Sequence, residues 1–430
     1  MSRKIDVHER PPLGQSMLLS LQHLFAMFGS TVLVPTLLHV DPAVCLLMNG
    51  IGTLLYLWIC KGKIPAYLGS SFAFIAPATA VITSNGDSGG GYPAALGGFI
   101  VAGVVFAGVA WIVQVAGTKW IDFVFPPAAM GAIVTVIGLE LIPVAAQMAG
   151  WISDGSADWT MDAQSVTLSV ITLGVTVLGS VLLRGFLRII PILLGIVIGY
   201  IAAYAQGLTD FAAVKAKPFF DTPIFTSPVF EWAAIITIVP ASLVVIAEHI
   251  GHLTVTGNIV GRDLSKDPGL HRSMLGNGVS TVLSGFAGST PNTTYGENIG
   301  VLAITRVYST FVIGGAAVLA ILLSCFGKVS ALIQNIPVPV MGGVSLLLFG
   351  VIAASGLRML VEAKVDYGKP VNLLLTTVVL VTGLSGVKVT FGDFSLSGMA
   401  LATVVAIVLS LLFKLFERMR WSNEEEEGGH

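Results

Sequence analysis

Two carboxyl groups, Glu297 and Glu248, lie in stretches of the chain that are otherwise almost free of charge. Glu297 is the only formally charged residue between Arg272 and Arg306, and it follows a polar, turn-rich segment, 288–296. A carboxylate in apolar surroundings is costly, and irregular backbone at membrane depth is tolerated only where it lines a protein cavity. The segment therefore indicates a place where something polar is bound within a membrane.

Glu248 has a possible partner in His252, four residues further along the same apolar stretch. This spacing puts both side chains on one helical face, about one turn apart. A buried pair that seals two helices is the structural alternative, but an ionisable group inside a membrane span is by default a ligand or proton site. The adjacent His249 points to another face. Because the order Glu-His-x-x-His is not the His-Glu-x-x-His zinc signature, we expect no bound metal.

Two polar interruptions of apolar runs, 64–77 and 285–298, are the elements that must position these groups. Such paired breaks are the best pointer to a transporter's binding site. Both contain residues that are poor choices for the middle of a helix and that suit short extended pieces leading into half-helices: Ser70, Ser71, Thr290, Thr293 and Thr294. Two half-helix N-termini would then point backbone N–H groups at a common centre.

Two further positions carry open alternatives. Phe72 follows Ser70-Ser71, and its ring is either a packing residue or a stacking platform for a flat ligand. Gln22 and His23 lie in the first apolar run, where they either make helix–helix hydrogen bonds or line the site.

Composition defines the class of protein. The chain is 54% hydrophobic and 11% charged, against roughly 25% charged for a soluble domain. Apolar runs recur along its whole length, and most suffice for a helix of about 20 residues across a ~30 Å hydrocarbon layer. If the run 273–305 is split at its polar centre, about fourteen crossings result. We predict an all-α polytopic membrane protein.

Charge and cysteine usage exclude several other classes. The net charge of −2 implies no nucleic-acid partner, and three cysteines in or beside apolar runs give no disulfide framework. Basic residues in short loops predict the orientation, with both termini cytoplasmic. They follow alternate spans: Arg3, Lys4, Arg10, Lys61, Lys63, Lys119, Arg184, Arg188, Arg262, Lys266, Arg272, Arg358, Lys364, Lys369, Arg418 and Arg420. The loops with Asp154, Asp158, Asp162, Asp210 and Asp221 fall opposite.

Three short matches suggest an internal repeat, because they occur in the same order in each half. Gln22-His23 matches Glu248-His249, Gly69-Ser-Ser matches Gly288-Ser-Thr, and the Pro-rich segment 125–131 matches 336–342. Seven spans per half is an odd number, so the second half must enter from the opposite face. The sequence therefore predicts a 7+7 inverted repeat, the plan of many secondary transporters.

The segment 297–306, which reads Glu-Asn-Ile-Gly-Val-Leu-Ala-Ile-Thr-Arg, resembles the signature of the nucleobase–ascorbate transporter family. Gln22-His23 resembles the first-span motif of that family. Blocks 21–35, 61–75, 246–252 and 268–308 are similar to its bacterial, uracil-transporting members. The resemblance runs from about Arg10 to Phe416 and therefore covers nearly the whole chain.

The resemblance implies an architecture. A core domain would comprise spans 1–4 and 8–11, in residues 1–116 and 232–327, and a gate domain spans 5–7 and 12–14, in residues 117–231 and 328–416. Residues 417–430 would form a cytoplasmic tail. Short antiparallel β-strands would meet in the broken spans 3 and 10. The resemblance also implies a homodimer in the bacterial inner membrane.

The resemblance also implies roles for individual residues. Glu248 and Glu297 would accept hydrogen bonds from pyrimidine N–H groups, while the backbone amides of Phe72 and Gly296 would donate to its carbonyl oxygens. Tyr295 would line the site, and His252 would join Glu297 in proton coupling. Further lining positions would be Gln22, His23, Ser71, Thr294 and Asn298. No cofactor is expected.

The resulting expectation is proton-coupled import of uracil by alternating access. A purine or xanthine permease of the same family is the nearest alternative, although glutamine is common among purine transporters where this chain has Glu297. A channel would require a continuous polar pore, which scattered single carboxylates fit poorly. An enzyme is not expected, since no nucleophile–base pair or metal-ligand spacing occurs.

Overall fold

The structure is a computed structural model that describes residues 4–84, 91–153, 155–156, 158–184, 187, 190–391 and 394–419. Asp154, Arg188, most of the loop 83–92, and the tail beyond residue 419 with Arg420 therefore lie outside the described residues. The sequence expectations that fall on them remain predictions.

The described chain is mostly helical. Its helices in chain order are α1 Leu13–Ala26, α2 Phe28–Leu37, α3 Pro42–Ile59, α4 Ile75–Ser84, α5 Gly91–Ala116, α6 Ile121–Val124, α7 Pro127–Met148, α8 Ala163–Leu182, α9 Pro191–Ala205, α10 Ala212–Ala216, α11 Trp232–Ile238, α12 Pro240–Val260, α13 Leu270–Ala287, α14 Gly296–Thr305, α15 Thr310–Ser324, α16 Gly327–Gln334, α17 Val338–Glu362, α18 Pro370–Leu384 and α19 Gly398–Arg418. A short 3₁₀ turn, Phe72–Phe74, precedes α4.

Several of these helices are long and apolar enough to cross a membrane. Eight such helical segments occur within the described ranges, or nine if α15 and α16, bent by 87°, form one span. Three shorter apolar helices accompany them: Phe72–Thr83, Pro191–Ala205 and Pro370–Leu384. The prediction of an all-α membrane fold is confirmed, whereas the count of fourteen spans and the inverted repeat stay predictions.

Local sequence explains where key helices begin and end. Asp41 accepts a hydrogen bond from the backbone N–H of Ala43 at 3.0 Å and so caps α3, with Pro42 at the first helical position. Helices α12 and α13 end at Gly261 and Gly288, which have φ angles of 74° and 83°. Glycine adopts this left-handed conformation without the steric cost of a Cβ, so both helices stop before a turn.

Two short antiparallel strands, β1 Leu68–Ser70 and β2 Asn292–Thr294, pair in the middle of the molecule. Leu68 is opposite Thr294 and Ser70 is opposite Asn292. Backbone bonds from Ser71 N to Pro291 O, 2.8 Å, and from Tyr295 N to Tyr67 O, 3.3 Å, extend the ladder at its two ends. The predicted strands in both interrupted segments are confirmed.

One of the three repeat matches, Gly69-Ser-Ser with Gly288-Ser-Thr, is wrong in detail because it aligns a strand with the end of a helix. Gly69 lies within strand β1, whereas Gly288, its match in sequence, ends helix α13 before strand β2 begins. Glycine followed by hydroxyl residues suits a helix end as well as a strand, so residue types alone misplaced the match. Thr290 instead donates a side-chain hydrogen bond to Ser70 Oγ at 2.6 Å.

A second pair of strands, β3 Lys388–Phe391 and β4 Phe394–Ser397, was not predicted. They pair antiparallel between α18 and α19, with Lys388 opposite Ser397. Residues from 394 onward continue without a charge into the hydrophobic sequence of α19, so the pattern by itself indicates one apolar span. Alternation over four residues is too short to distinguish a strand end from a helix start.

The helices pack into two sets. In the first helix set α3, α5, α13 and α15 pack on one another and are joined by α1, α4 and α11. The second helix set contains α7, α8, α9, α17, α18 and α19. Helix α12 contacts α5, α13 and α14 on one side and α7 and α19 on the other, so it lies at the junction of the two sets.

Basic loops and the N-terminal segment meet at one face of the molecule, which we call the basic face. Ile5 forms a bridge to Val307. Asp6 pairs with Arg262 at 2.9 Å, and Lys63 pairs with Asp267 at 2.6 Å. These ion pairs are solvent-exposed and contribute little stability each. Together with the bridge between Ile5 and Val307, they show that the loops after α3, α12 and α14 lie on the same side of the molecule.

Candidate functional site

A cavity of about 220 Å³ opens between the two helix sets, next to the β1–β2 ladder. One wall comes from the turn that begins at Phe72, strand β2, α14 and α12, and the other from α17 with Val134 of α7. The lining residues of the first wall include Phe72, Glu248, His252, Tyr295, Gly296 and Glu297. The structure therefore brings together the six residues named in the sequence as substrate-binding or proton-coupling.

The ladder positions two helix starts at this cavity. Ser71 in extended conformation precedes the turn that begins at Phe72, and Tyr295 in extended conformation precedes α14, which begins at Gly296. Because the strands are antiparallel, the segments that follow β1 and β2 leave the ladder at opposite ends. Both Phe72 and Gly296 nevertheless line the cavity. Helix starts carry backbone N–H groups without intrahelical partners, which suit hydrogen-bond acceptors on a ligand.

Glu248 and His252 face one another along α12, as their spacing predicted. His252 Nε2 lies 3.9 Å from Glu248 Oε1, and the side chains are only 12% and 14% exposed. The same imidazole nitrogen would lie 3.3 Å from a Cβ placed on Gly296. Glu248 and His252 of α12 therefore lie next to Gly296, the first residue of α14.

Glu297 lies in the first turn of α14, where the helix dipole stabilises negative charge. Its Oε1 atom is buried and has no hydrogen-bond partner within the described part of the chain. A buried carboxyl oxygen without a partner is unfavourable unless a ligand or a proton satisfies it. Glu297 is therefore poised to accept a hydrogen bond from something that enters the cavity.

Aromatic rings fix the flat wall of the cavity. Phe72 stacks with Tyr295 at a centroid separation of 6.5 Å and an interplanar angle of 28°, and it meets Phe349 of α17 edge-on at 5.8 Å. The Tyr295 hydroxyl donates to the backbone oxygen of Ser70 at 2.8 Å. The Phe72 ring is buried, packs on Tyr295 and Phe349, and lines the cavity, so its packing role is confirmed and its role as a stacking platform stays a prediction.

The five further lining positions are not in the cavity wall. His23 Nδ1 is hydrogen-bonded to Asn298 Oδ1 at 2.6 Å, joining α1 to α14 behind the wall. Thr294 Oγ1 lies 3.2 Å from His252 Nδ1 and so supports a wall residue from behind. Ser71 is fully buried beside the ladder. Gln22 lies on α1 and is half-buried.

Sequence reasoning missed the wall that α17 contributes: Val351, Ile352, Ser355, Arg358, Met359 and Glu362. Arg358 had been assigned to a loop, but α17 continues to Glu362, and Arg358 pairs with Glu362 at 2.6 Å one turn later. An apolar run that ends at the first charged residue underestimates a helix whose last turns carry charged side chains at the end of a cavity. The spacing of Arg358 and Glu362 at i, i+4 was the available signal.

The site offers hydrogen-bond acceptors, donors and a flat apolar face within one small space. Acceptors come from the carboxyl groups of Glu248 and Glu297, and donors from the helix starts at Phe72 and Gly296. The Phe72 ring supplies the face. This arrangement is complementary to a small planar ligand that carries both N–H and carbonyl groups.

Two solved structures of membrane transporters have the same fold. The transmembrane domain of a cyanobacterium bicarbonate transporter, BicA, superposes with a TM-score of 0.61, covering 94% of this chain and 96% of that one, at 14% identity. The murine Solute Carrier 26 family member A9 anion transporter gives 0.70, with 95% and 69% covered, at 10% identity. At these identities the likeness concerns the fold alone. The class is that of a multi-pass membrane protein with this fold.

Sequence comparison defines the family within that class. The family model described as Permease family matches residues 14–392. The uracil permease of Escherichia coli (strain K12) is 64% identical over 419 residues, which cover 97% of this chain and 96% of that protein. The uracil permeases of Paenibacillus larvae and Bacillus subtilis are 62% and 46% identical, covering 98% and 96% of this chain and 99% and 96% of theirs. The chain belongs to this permease family, as its resemblance to nucleobase–ascorbate transporters predicted.

Proposed function

We propose that the protein imports uracil together with protons, by alternating access to the cavity between the two helix sets. Uracil is flat and neutral, and it presents two N–H donors and two carbonyl acceptors. Relatives that share up to 64% of its residues over almost the whole chain are named uracil permeases. The single observation that carries the proposal is one cavity lined by Glu248, Glu297 and the starts of two half-helices.

In the proposed complex Glu248 and Glu297 accept hydrogen bonds from the uracil N–H groups. The backbone amides of Phe72 and Gly296 donate to its carbonyl oxygens, while the Phe72 ring lies near the base and Tyr295 lines the site. A ligand that leaves such buried polar groups unpaired loses roughly 1–3 kcal/mol for each, which is how the site would reject analogues.

Glu297 and His252 are proposed to couple the proton to transport. The Oε1 atom of Glu297 supports this role, since protonation would neutralise a buried carboxyl group of which this oxygen has no hydrogen-bond partner among the described residues. His252 contacts Glu248 at 3.9 Å and adjoins Gly296, so it connects the two carboxyl groups. One proton crossing 100 mV releases about 2.3 kcal/mol. That energy supports roughly fiftyfold accumulation of a neutral solute.

The two helix sets are proposed to be the moving parts, the core domain (residues 1–116 and 232–327) and the gate domain (117–231 and 328–416). Support comes from the packing, since the helices of each set contact mainly one another. The cavity follows α12 to Ile259 and α17 to Glu362, which are the ends of those helices next to the loops with Arg262 and Lys364. This geometry is that of a site open toward the basic face.

The same proposal includes the setting of the protein. We place it in the bacterial inner membrane with both termini and the basic face cytoplasmic, because short basic loops stay on that side. A homodimer is proposed on the family resemblance. Neither a cofactor nor a nucleic-acid partner enters the mechanism.

The experiment that tests the function is uptake of labelled uracil by purified protein in liposomes under an imposed pH gradient. Accumulation that requires an acidic exterior and collapses with a protonophore is expected. Uptake that merely equilibrates, with or without the gradient, would refute proton coupling while leaving uracil transport intact.

Competition tests the nearest alternative, a purine or xanthine permease. Unlabelled uracil, thymine and 5-fluorouracil are expected to compete with labelled uracil, and xanthine is expected not to compete. Displacement by xanthine, with the pyrimidine analogues inert, would reassign the substrate to the purines.

A further inference from the structure

A chain of hydrogen bonds runs from the cavity into the first helix set, behind the residues that line the site. His252 Nδ1 lies 3.2 Å from Thr294 Oγ1, which lies 3.5 Å from His249 Nδ1. His249 Nε2 lies 2.8 Å from Ser273 Oγ, and Ser273 Oγ lies 2.6 Å from the hydroxyl oxygen of Tyr56. The chain thus joins α12, β2, α13 and α3.

These groups are sealed from solvent. Tyr56 and Ser273 are 0% exposed, His249 is 1% exposed and Thr294 is 3% exposed. Each hydroxyl carries a single proton and two lone pairs, and a neutral imidazole carries one ring proton. When each hydroxyl donates its one proton along the chain, the direction of one bond fixes the direction of the others.

The direction follows from Tyr56, whose hydroxyl contacts both Ser273 and the thiol of Cys60. A thiol is a weak acceptor, so the phenol, a more acidic hydroxyl than that of serine, donates to Ser273, and this contact is the shortest in the chain. If Tyr56 donates to Ser273, Ser273 donates to His249 Nε2. His249 then carries its proton on Nδ1 and donates to Thr294, and Thr294 donates to His252 Nδ1.

We propose that Tyr56 and Ser273 are positioning residues which, through His249 and Thr294, hold the His252 imidazole with its proton on Nε2, facing Glu248. Which ring nitrogen of a histidine is protonated is set by the hydrogen bond that the other nitrogen makes. His252 then presents an N–H donor to the carboxylate that the proposed function assigns to uracil binding. It does so without becoming a buried cation.

This proposal refines the role of His252 within the proposed function. A neutral donor at Nε2 stabilises the carboxylate of Glu248 and leaves the carboxyl groups to carry the transported proton. If the chain ran the other way, a lone pair of Nε2 would face the carboxylate and repel it. Tyr56 therefore determines whether Nε2 of His252 acts as a hydrogen-bond donor or as an acceptor in the cavity.

The direct test is the ring-nitrogen spectrum of the full-length protein, labelled with ¹⁵N-histidine and reconstituted in lipid. The chain has seven histidines, and the His252 signals are identified as those that disappear in His252→Gln. In the wild-type protein His252 is expected to show a protonated Nε2 and an unprotonated Nδ1. In Tyr56→Phe, which lacks the terminal donor, the Nδ1-protonated form is expected to appear.

Binding measurements provide the second readout. Tyr56→Phe and Ser273→Ala are each expected to raise the Kd for uracil about three- to tenfold, the effect of one weakened hydrogen bond. Because both residues act through one chain, the double variant is expected to bind no more weakly than the weaker single variant. Tyr92→Phe is the matched control, since it removes a tyrosine hydroxyl that donates to Gly288 O at 3.2 Å, outside the chain.

The outcomes separate this proposal from the proposed function. A wild-type His252 protonated on Nδ1, or a spectrum unchanged in both Tyr56→Phe and Ser273→Ala, overturns the positioning role even if uracil transport is confirmed. The spectrum needs no ligand, so a protein that failed to transport uracil would still test it. Additive losses in the double variant, or an equal loss in Tyr92→Phe, would indicate general packing damage and also overturn the proposal. If Tyr56→Phe does not fold, the proposal is tested by the His252 spectrum of the wild-type protein and by that of Ser273→Ala.

Discussion

At the scale of single residues, the two carboxyl groups of the cavity are not equivalent. Glu248 has a neighbour in His252 at 3.9 Å, whereas Glu297 presents a buried oxygen that lacks a partner among the described residues. A carboxylate supported by a donor can remain ionised and hold a ligand N–H group. A carboxyl oxygen without support gains more from a proton. We therefore assign ligand binding chiefly to Glu248 and proton exchange chiefly to Glu297.

Replacing Glu248 with alanine is expected to weaken uracil binding roughly 100-fold. The change removes a charge-assisted hydrogen-bond acceptor for the ligand, which is worth about 1.5–3 kcal/mol. Isothermal titration of the purified variant with uracil measures this loss. Glu140→Gln is the control, because Glu140 is also a buried acid but bonds to the backbone N–H of Met399 at 2.9 Å, away from the cavity. Wild-type affinity in Glu248→Ala would remove Glu248 from the binding site.

Replacing Glu297 with glutamine is expected to separate exchange from proton-driven accumulation. The amide oxygen still accepts a hydrogen bond from the ligand, but the side chain no longer gains or loses a proton. Exchange of labelled for unlabelled uracil across the liposome membrane should persist within a fewfold of wild type, while uptake loses its response to an imposed pH gradient. A variant that keeps the full gradient response would show that the proton is carried elsewhere.

Part of the site was predictable at this scale. Glu248, His252 and Glu297 were found in the sequence because a charge in an apolar run is costly and therefore informative. Val351, Ile352 and Ser355 gave no such signal, since aliphatic and small residues on a span are typical of packing surfaces. Their place in the cavity wall depends on how α17 faces the junction, which only the three-dimensional packing determines.

At the scale of elements, the three-residue ladder has the greatest effect on the site. It positions the starts of the Phe72 turn and α14 at the cavity while pairing the backbone groups of both interrupted segments. Tyr295 packs directly against it, because a Cβ added to Gly69 would fall within the Tyr295 ring. The glycine is therefore required by close approach rather than by an unusual backbone angle.

Gly69→Ala is expected to displace the Tyr295 ring, break its bond to Ser70 O and shift the start of α14. Uracil affinity should fall by about tenfold or more, and the thermal midpoint in detergent should fall with it, as overpacking a core costs about 1–3 kcal/mol. Gly108→Ala in α5, where an added Cβ meets no atom within 4 Å, is the matched control. It is expected to keep affinity and to be neutral or slightly stabilising. Equal behaviour of the two variants would contradict the close-approach argument.

The sequence predicted these elements unevenly. Strands β1 and β2 were predictable because glycine, proline and hydroxyl residues interrupt two of the apolar runs. The hairpin of β3 and β4 was missed because its residues merge with the apolar sequence of α19. The end of helix α17 was missed for the opposite reason, since its last turns carry the charged residues Arg358 and Glu362, which also line the cavity. Local patterns report hydrophobicity, and they do not report which face of a helix meets water.

At the scale of the whole molecule, the cavity lies where α12 and α14 of one side meet α17 of the other. Asp41 at the start of α3 accepts hydrogen bonds from the backbone N–H of Ile224 at 3.0 Å and from Ser330 at 2.6 Å, on the face away from the basic loops. These contacts join the first helix set to residues on the gate side of the chain. The site is thus open at one end and tied together at the other.

Alternating access predicts that a soluble reagent reaches the cavity from only one side of the membrane at a time. A cysteine at Ser355, in a background with Cys325→Ser, gives a single reactive thiol, because Cys45 and Cys60 are buried. A membrane-impermeant thiol reagent is expected to modify it from the basic face at least about tenfold faster than from the opposite face, and saturating uracil should slow the reaction. Equal rates from both faces would indicate a continuous pore and favour a channel.

The division into two helix sets could be predicted from the sequence only through the family resemblance. The apolar runs fix where helices occur but leave their partners undetermined, because lipid-facing and helix-facing surfaces are both apolar. The contacts of α12 with both sets follow from close packing around small residues, which many helices of this chain share.

The pairing of β1 with β2 also bears on how the chain is made. Leu68 and Thr294 come from opposite halves of the sequence, so the first interrupted segment leaves the ribosome long before its partner exists. Until then its backbone polar groups have no strand to bond to, and exposure to lipid would be costly. During synthesis of this protein the backbone groups of β1 must therefore be hydrogen-bonded by water or by an insertion factor until β2 has been made and the ladder can form.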